Sequence, residues 1–252
     1  MKEFKKDKLD VKIADSRAAM GDIAGRDIAD CILRLQKEKD EINIIFAAAP
    51  SQNETLAKLL TVQEIDWSKI NAFHMDEYIG LAEDAPQRFG NFLKEAIFGR
   101  VPFKSVHYIN GGAEDIAAEC ARYSALLAEY PTDIVCLGIG ENGHIAFNDP
   151  PVADFNDAAV IKPVQLDEIC RHQQVNDGCF KTIDEVPTHA LTLTVPTLYK
   201  ADYLFCSVPA ATKAAAVYAM LHDDISEKCP ATILRRHDHA VLYCDPDSAA
   251  RL

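Results

Sequence analysis

The chain has 252 residues and a formal net charge of −13, from 39 acidic and 26 basic side chains. Such a surface repels a polyphosphate backbone, which argues against nucleic acid as a partner. No apolar run approaches the ~20 residues needed to span a bilayer, and no apolar segment follows the basic start at residues 1–10, so neither a membrane span nor a signal peptide is expected. The expected product is one soluble cytoplasmic domain over 1–252, long enough to bury a sizeable core. Its eight cysteines are scattered without CxxC pairs and read as apolar filler in a reducing compartment, not as a metal site.

In chain order, Met20, Ile23, Ile28, Ile32 and Leu35 recur at helical spacing, which predicts a long amphipathic helix over 16–39. Residues 42–47 read as a buried strand, followed by Pro50 and a helix over about 52–61. Ser51 is the expected N-cap there, with Glu54 completing a capping box. A strand near 70–75, a helix around 89–98, a strand at 105–109, a helix over 113–129 and a strand at 133–137 come next. A long proline-bearing loop runs to 150, and a less regular stretch reaches about 186. The pattern then resumes with strands at 190–195 and 203–208, a helix at 211–221 and a strand at 240–244.

Continuous Ile/Val/Leu runs separated by helices predict an α/β fold, a Rossmann-like mostly parallel sheet with helices on both faces. Ligands of such folds bind outside the carboxyl ends of the strands. That rule selects segments 48–53, 76–80 and 138–150.

The third segment contains Gly138-Ile-Gly140-Glu-Asn-Gly143, a GxGxxG pattern after a strand. A dinucleotide site would also need a helix to begin there. His144-Ile-Ala-Phe-Asn-Asp-Pro-Pro151 follows instead, and two prolines argue for a loop. Gly140 and Gly143 then serve to bring backbone N–H groups and one histidine close to a ligand. Histidine is the side chain suited to moving a proton at neutral pH, and His144, with Glu141 and Asp149 nearby, is the candidate proton carrier. In the second segment Asp76 and Glu77 are adjacent carboxylates that point to opposite sides of an extended backbone, so they should have different jobs. One carboxylate near C1 and C2 of a sugar would serve aldose–ketose chemistry.

At these two places the sequence resembles the glucosamine-6-phosphate deaminase/isomerase family. Phe73-His-Met-Asp-Glu-Tyr-Ile-Gly-Leu81 is similar to that family's F-x-M-D-E-Y-x-G-L segment. Leu137-Gly-Ile-Gly-Glu-Asn-Gly-His-Ile-Ala-Phe-Asn-Asp-Pro150 is similar to its G-x-G-x-D-G-H-I-A-F-N-E-P segment. Residues 186–195 and Lys213 follow in order, so the likeness spans roughly 40–245.

The resemblance implies an acid–base mechanism without cofactor or metal, acting on a small-molecule sugar phosphate. His144 would open the pyranose ring. Asp76 would carry the C2 proton to C1, and a 2-amino sugar would leave as a ketose phosphate plus ammonia. Carboxylates before and after the Gly-His pair would support His144, and Lys213 would hold the phosphate. Asn142 stands where the family usually has Asp, and Asp149 where it usually has Glu, so Glu141 or Asp149 is expected to supply the charge behind His144. The phosphate turn is also altered to Ala47-Ala-Ala-Pro50-Ser-Gln-Asn53, leaving Ser51 and Gln52 as candidate contacts. Gly178 falls near the place of the family's phosphate arginine, with Arg171 and His172 as candidate substitutes. Glu77 is a candidate substrate contact.

Two other readings stand beside this one. A 6-phosphogluconolactonase-type hydrolase would need no C2 proton transfer, and a sugar-phosphate sensor would bind without turnover. The sequence leaves a homo-oligomer open.

Overall fold

The computed structural model describes residues 1–176 and 178–252. The chain opens with a hairpin of β1 (Lys2–Lys6) and β2 (Leu9–Ile13), followed by the long helix α1 (Arg17–Glu38). Then come β3 (Ile42–Phe46), α2 (Asn53–Leu59), β4 (Ile70–His74), β5 (Asp76–Tyr78), α3 (Phe89–Leu93), β6 (Ser105–His107), α4 (Ile116–Glu129) and β7 (Ile134–Leu137). The second half contributes β8 (Ile161–Gln165), α5 (Glu168–Asn176), β9 (His189–Leu193), α6 (Val195–Tyr199), β10 (Tyr203–Val208), α7 (Ala214–His222) and β11 (Ala240–Cys244).

Eight strands form one sheet in the order β1-β2-β11-β10-β7-β3-β4-β6. Every neighbouring pair is parallel except the β1–β2 hairpin. β3 and β7 are buried along their whole length, as strands covered on both faces must be. From β3 the chain builds outward through β4 and β6; β7 then returns to the other side of β3, and β10 and β11 extend from there. The order therefore reverses between β3 and β7, which opens a crevice at their carboxyl ends.

Helix α1 covers the sheet with Met20, Ala24, Ile28, Ile32 and Leu35, all buried, as its period predicts. Each large apolar side chain buried this way is worth about 1.5–3 kcal/mol. Ser16 caps the helix by accepting the Ala19 N–H at 3.1 Å. α1 packs very closely on α2: a Cβ added at Gly21 would come within 2.3 Å of the Glu54 Cβ.

Four local expectations are corrected. The strand expected at 190–195 is β9, and it leaves the main sheet: it lies antiparallel between β5 and β8 in a separate three-stranded sheet. The irregular stretch before it contains β8 and α5. The segment at 52–61 begins as a 3-10 turn at Pro50–Gln52, where Ser51 caps nothing and Glu54 bonds Arg17 instead of closing a capping box. The stretch at 89–98 is α3 continued by a π turn at Lys94–Phe98. Apolar residues of the small sheet, among them Leu191, Leu193 and Ile161, join the same cluster as Val135 and Leu137 of β7, so both sheets share a core.

The chain steps from β4 into β5 across a single residue, Met75. His74 fixes that step. Its Nε2 accepts the Ile109 N–H at 2.9 Å, so its Nδ1 carries the proton and donates to the Asp76 carbonyl at 2.9 Å. Burial pushes the His74 pKa down to about 4, which keeps the ring neutral in this role.

Candidate active site

One cleft gathers the tips of four parallel strands: residues 47–51 after β3, Met75 and Asp76 after β4, 138–140 with His144 after β7, and 209–213 after β10. The three segments that the strand-end rule selects each contribute to this cleft, at the switch point between β3 and β7, and the turn after β10 joins them.

Asp76 is the first residue of β5 and is 7% exposed. Among the described residues none donates a hydrogen bond to its carboxylate. Burial raises its pKa well above the ordinary carboxylate range, and the Glu77 charge adds to the effect. Glu77 points the other way, as alternation along a strand requires, and its carboxylate accepts the N–H groups of Tyr78 (2.9 Å), Phe89 (3.0 Å) and Gly90 (2.9 Å). Burial raises its pKa in spite of these bonds. It ties α3 to β5 and does not line the cleft, contrary to its expected substrate contact.

His144 sits in the loop after β7. Its Nδ1 lies 2.8 Å from Asn142 Oδ1 and 2.9 Å from Asp149 Oδ1. Asn142 donates its amide to Asp149 at 2.9 Å, which leaves its oxygen turned to the ring. Both partners of Nδ1 are therefore acceptors, so Nδ1 carries the proton and Nε2 keeps the lone pair. Asp149 is 2% exposed. Burial alone would raise its pKa, but hydrogen bonds from His144, Asn142 and the Cys170 thiol outweigh burial and hold it below the usual range. The imidazole lies directly against Gly140, where an added Cβ would come within 2.1 Å of the ring.

One side chain joins the two halves. Thr192 of β9 pairs with Asp76 across the ladder, and its Oγ1 accepts the Phe147 N–H at 3.0 Å. Asn148 reinforces the joint by donating to the Ile145 carbonyl at 2.9 Å and the Leu193 carbonyl at 2.8 Å. Two non-glycine residues of the cleft adopt positive φ, Ala146 at 51° and Ala210 at 84°. Such backbone costs about 1–3 kcal/mol per residue and persists only where the surroundings impose it. The Ala210 N–H is held by the Asp245 carboxylate at 3.1 Å.

Several residues that the motifs and spacing pick out fall elsewhere. Glu141 does not line the cleft; its N–H donates to Gln173 at 2.8 Å, and Asp149 is the carboxylate that faces His144. Gln52 is buried beneath the loop, where its amide bonds Ser51 Oγ at 3.1 Å and the Leu137 carbonyl at 3.2 Å, so it braces strand tips. Arg171 is turned away and donates to the Ile183 carbonyl at 2.7 Å and the Val186 carbonyl at 2.9 Å. His172 is exposed and outside the cleft. Ser51, Gly140 and Lys213 do line it. Gly143 lies just behind, at φ 78°, where a Cβ would meet Cys229 Sγ at 2.4 Å.

The cleft also contains residues with no sequence signal of their own: Arg17 from the start of α1, Gln173 and Gln174 from α5, Cys179 and Thr212. Ligand atoms of His144, Asp149 and Cys170 lie within 4.8 Å of one another, the geometry of a small cation site. A hydrogen-bond chain from thiol to carboxylate to imidazole accounts for the same arrangement.

A family model described as glucosamine-6-phosphate isomerases/6-phosphogluconolactonase matches residues 15–243. The chain belongs to that family. It is 38% identical over 185 residues to a glucosamine-6-phosphate deaminase of Bacillus cereus (strain G9842), covering 73% of this chain and 69% of that protein. A Bacillus thuringiensis (strain Al Hakam) glucosamine-6-phosphate deaminase is 37% identical over the same shares. Among solved structures, a monomeric glucosamine-6-phosphate deaminase superposes with a TM-score of 0.85 at 30% identity, covering 95% of this chain and 98% of the other. A 6-phosphogluconolactonase from Thermotoga maritima gives a TM-score of 0.75 at 20% identity, with 93% and 98% covered, a likeness of fold. Among the described residues no helix is long and apolar enough to cross a membrane.

Proposed function

We propose that this enzyme converts a 2-amino-2-deoxy aldose 6-phosphate of the glucosamine 6-phosphate class into a ketose phosphate and ammonia. We place the reaction in the cytoplasm and assign its final step as a hydrolysis. The observation that carries the reading is a cleft holding one histidine with its Nδ1 proton pinned and one buried carboxylate to which none of the described residues donates.

In this scheme His144 Nε2 takes the O1 proton of the ring form and delivers it to O5, which opens the ring to the aldehyde. Asn142 and Asp149 hold the ring orientation and balance the transient imidazolium. Asp76 then takes the proton from C2 while the 2-ammonium group gives up one proton and O1 gains one, leaving an enolamine, and Asp76 returns its proton to C1. The resulting imine at C2 adds water and releases ammonia. A carboxylate whose pKa is lifted by burial is the stronger base for a carbon acid, which is a use for the energy spent in burying Asp76. Lys213 and Ser51 serve the phosphate end of the cleft.

A lactone hydrolase of the same fold would use His144 and leave Asp76 idle. Turnover of a 2-amino aldose 6-phosphate and of a 6-phosphoaldonolactone by wild type, Asp76→Asn and His144→Gln separates the two. The proposal expects ammonia and ketose from wild type alone. Lactone hydrolysis that survives Asp76→Asn, with no ammonia released from the amino sugar by wild type, would reject it.

A further inference from the structure

We propose that Arg17, at the first turn of α1, is a phosphate ligand of this cleft and supplies the guanidinium that the β8–β9 region does not. The inference rests on the sugar-phosphate reading above for the identity of the anion.

Arg17, Asp76, His144 and Lys213 all line the cleft. Asp76 and His144 are committed to proton transfer, and Arg17 and Lys213 are its permanent cations. They approach from different elements, Arg17 with the loop after β3 and Lys213 from the turn after β10, and the cleft-lining Ser51 belongs to that first loop.

The guanidinium is held in place before any ligand arrives. Nε donates to Glu54 Oε1 at 2.7 Å, and Nη2 donates to Glu54 Oε2 at 3.2 Å and to the Pro50 carbonyl at 2.8 Å. Glu54 is itself fixed by the close packing of α2 on Gly21. Nη1 makes no hydrogen bond to the described residues. An arginine forked onto a carboxylate along one edge, with donors left on the other, is pre-organised for an oxyanion.

Placement also answers a deficit in the loop. Pro50 brings no N–H to it, and the Gln52 N–H is spent on the Ala49 carbonyl at 2.9 Å. A cation bonded to the Pro50 carbonyl brings charge to the segment that lacks those donors. The pair with Glu54 is partly exposed, with 39% and 32% of the two side chains accessible, and such pairs add little to stability. A merely structural brace would therefore leave the position of Arg17 in the cleft without a use.

Calorimetric titration of the intact chain with inorganic phosphate tests this without requiring turnover. Arg17→Gln should weaken phosphate binding by about tenfold to a hundredfold, the loss expected of a charge-assisted hydrogen bond. KM for the sugar phosphate should rise by a similar factor while kcat changes less than about threefold. Glu54→Gln, which releases the guanidinium from its carboxylate, should keep phosphate binding or tighten it. Arg17→Gln binding phosphate as wild type does would overturn the assignment. So would equal weakening by Arg17→Gln and Glu54→Gln, the signature of a loop brace. Phosphate binding that depends on Arg17 in a chain that turns over no amino sugar would leave this assignment standing and reject the proposed reaction.

Discussion

Asp149 and His144 meet at 2.9 Å, and Asn142 bridges them, accepting from the ring while donating its amide to the same carboxylate oxygen. The amide at 142 is thus a positioning group, and the negative charge behind the imidazole comes from Asp149. Asp149→Asn removes that charge and puts an amide where only an acceptor fits. We expect kcat to fall by about 10²-fold or more, with KM little changed. The same variant should lose thermal stability at neutral pH. Because the folded-state pKa of Asp149 is depressed, its contribution is full above the unfolded carboxylate pKa of about 3.9 and disappears as pH falls through the folded value. Melting wild type and variant at pH 7 and again in acid checks the sign: the gap should narrow in acid.

Asp76 obeys the opposite sign. Its folded-state pKa is raised, so its contribution to stability is favourable below the unfolded pKa and is lost as pH rises through the folded value. At pH 7–8 the ionised carboxylate is a burden on the fold. Asp76→Asn should therefore abolish turnover yet raise Tm by roughly 2–4 °C for each ~1 kcal/mol relieved. The gain should grow from pH 5 to pH 8. A variant that melts earlier than wild type at pH 8 would show that Asp76 has a stabilising partner.

Gly140 is required by the ring it supports. A methyl group at that position would stand within 2.1 Å of His144 and force the imidazole from the cleft. Gly140→Ala should cost about 10²-fold in kcat, the usual consequence of displacing a reacting group by ~1 Å. Steady-state kinetics beside a circular dichroism spectrum distinguishes this from global unfolding, since the fold should remain.

Arg171 and His172 lie outside the chemistry. Arg171→Gln should leave KM within about twofold of wild type but lower stability by about 1–3 kcal/mol, because two backbone carbonyls lose their donor. His172→Ala should change neither quantity. A large rise in KM for either variant would return the phosphate site to α5.

Much of the frame was legible because β3, β4, β7 and β10 are short, mostly apolar runs whose burial on both faces leaves few alternatives. The edges were not. β1 carries four charged residues around Phe4 at the rim of the sheet, so nothing in its composition marks a strand. β9 reads correctly as a strand, but its departure into a second sheet depends on the one-residue step at Met75, which propensity cannot register. In the site, the two long motifs pick out Asp76 and His144, which the fold brings to one cleft. The anion contacts were harder, since a side chain's charge does not reveal its direction: Arg171 points into its own loop, Gln52 lies beneath the strand tips, and Arg17 reaches the cleft from a helix 30 residues or more away in sequence.

The central claim is that Asp76 moves the C2 proton in the cleft where His144 opens the ring. Incubating a 2-amino-2-deoxy aldose 6-phosphate with wild type and Asp76→Asn in deuterated water, with ammonia assayed and the ketose followed by proton NMR, tests it most directly. Wild type should give ammonia and ketose phosphate in equal amounts, with the C2 proton carried to C1 in the fraction of turnovers where the Asp76 carboxyl does not exchange with solvent, and Asp76→Asn should give neither product. Ammonia released by Asp76→Asn at the wild-type rate would contradict it.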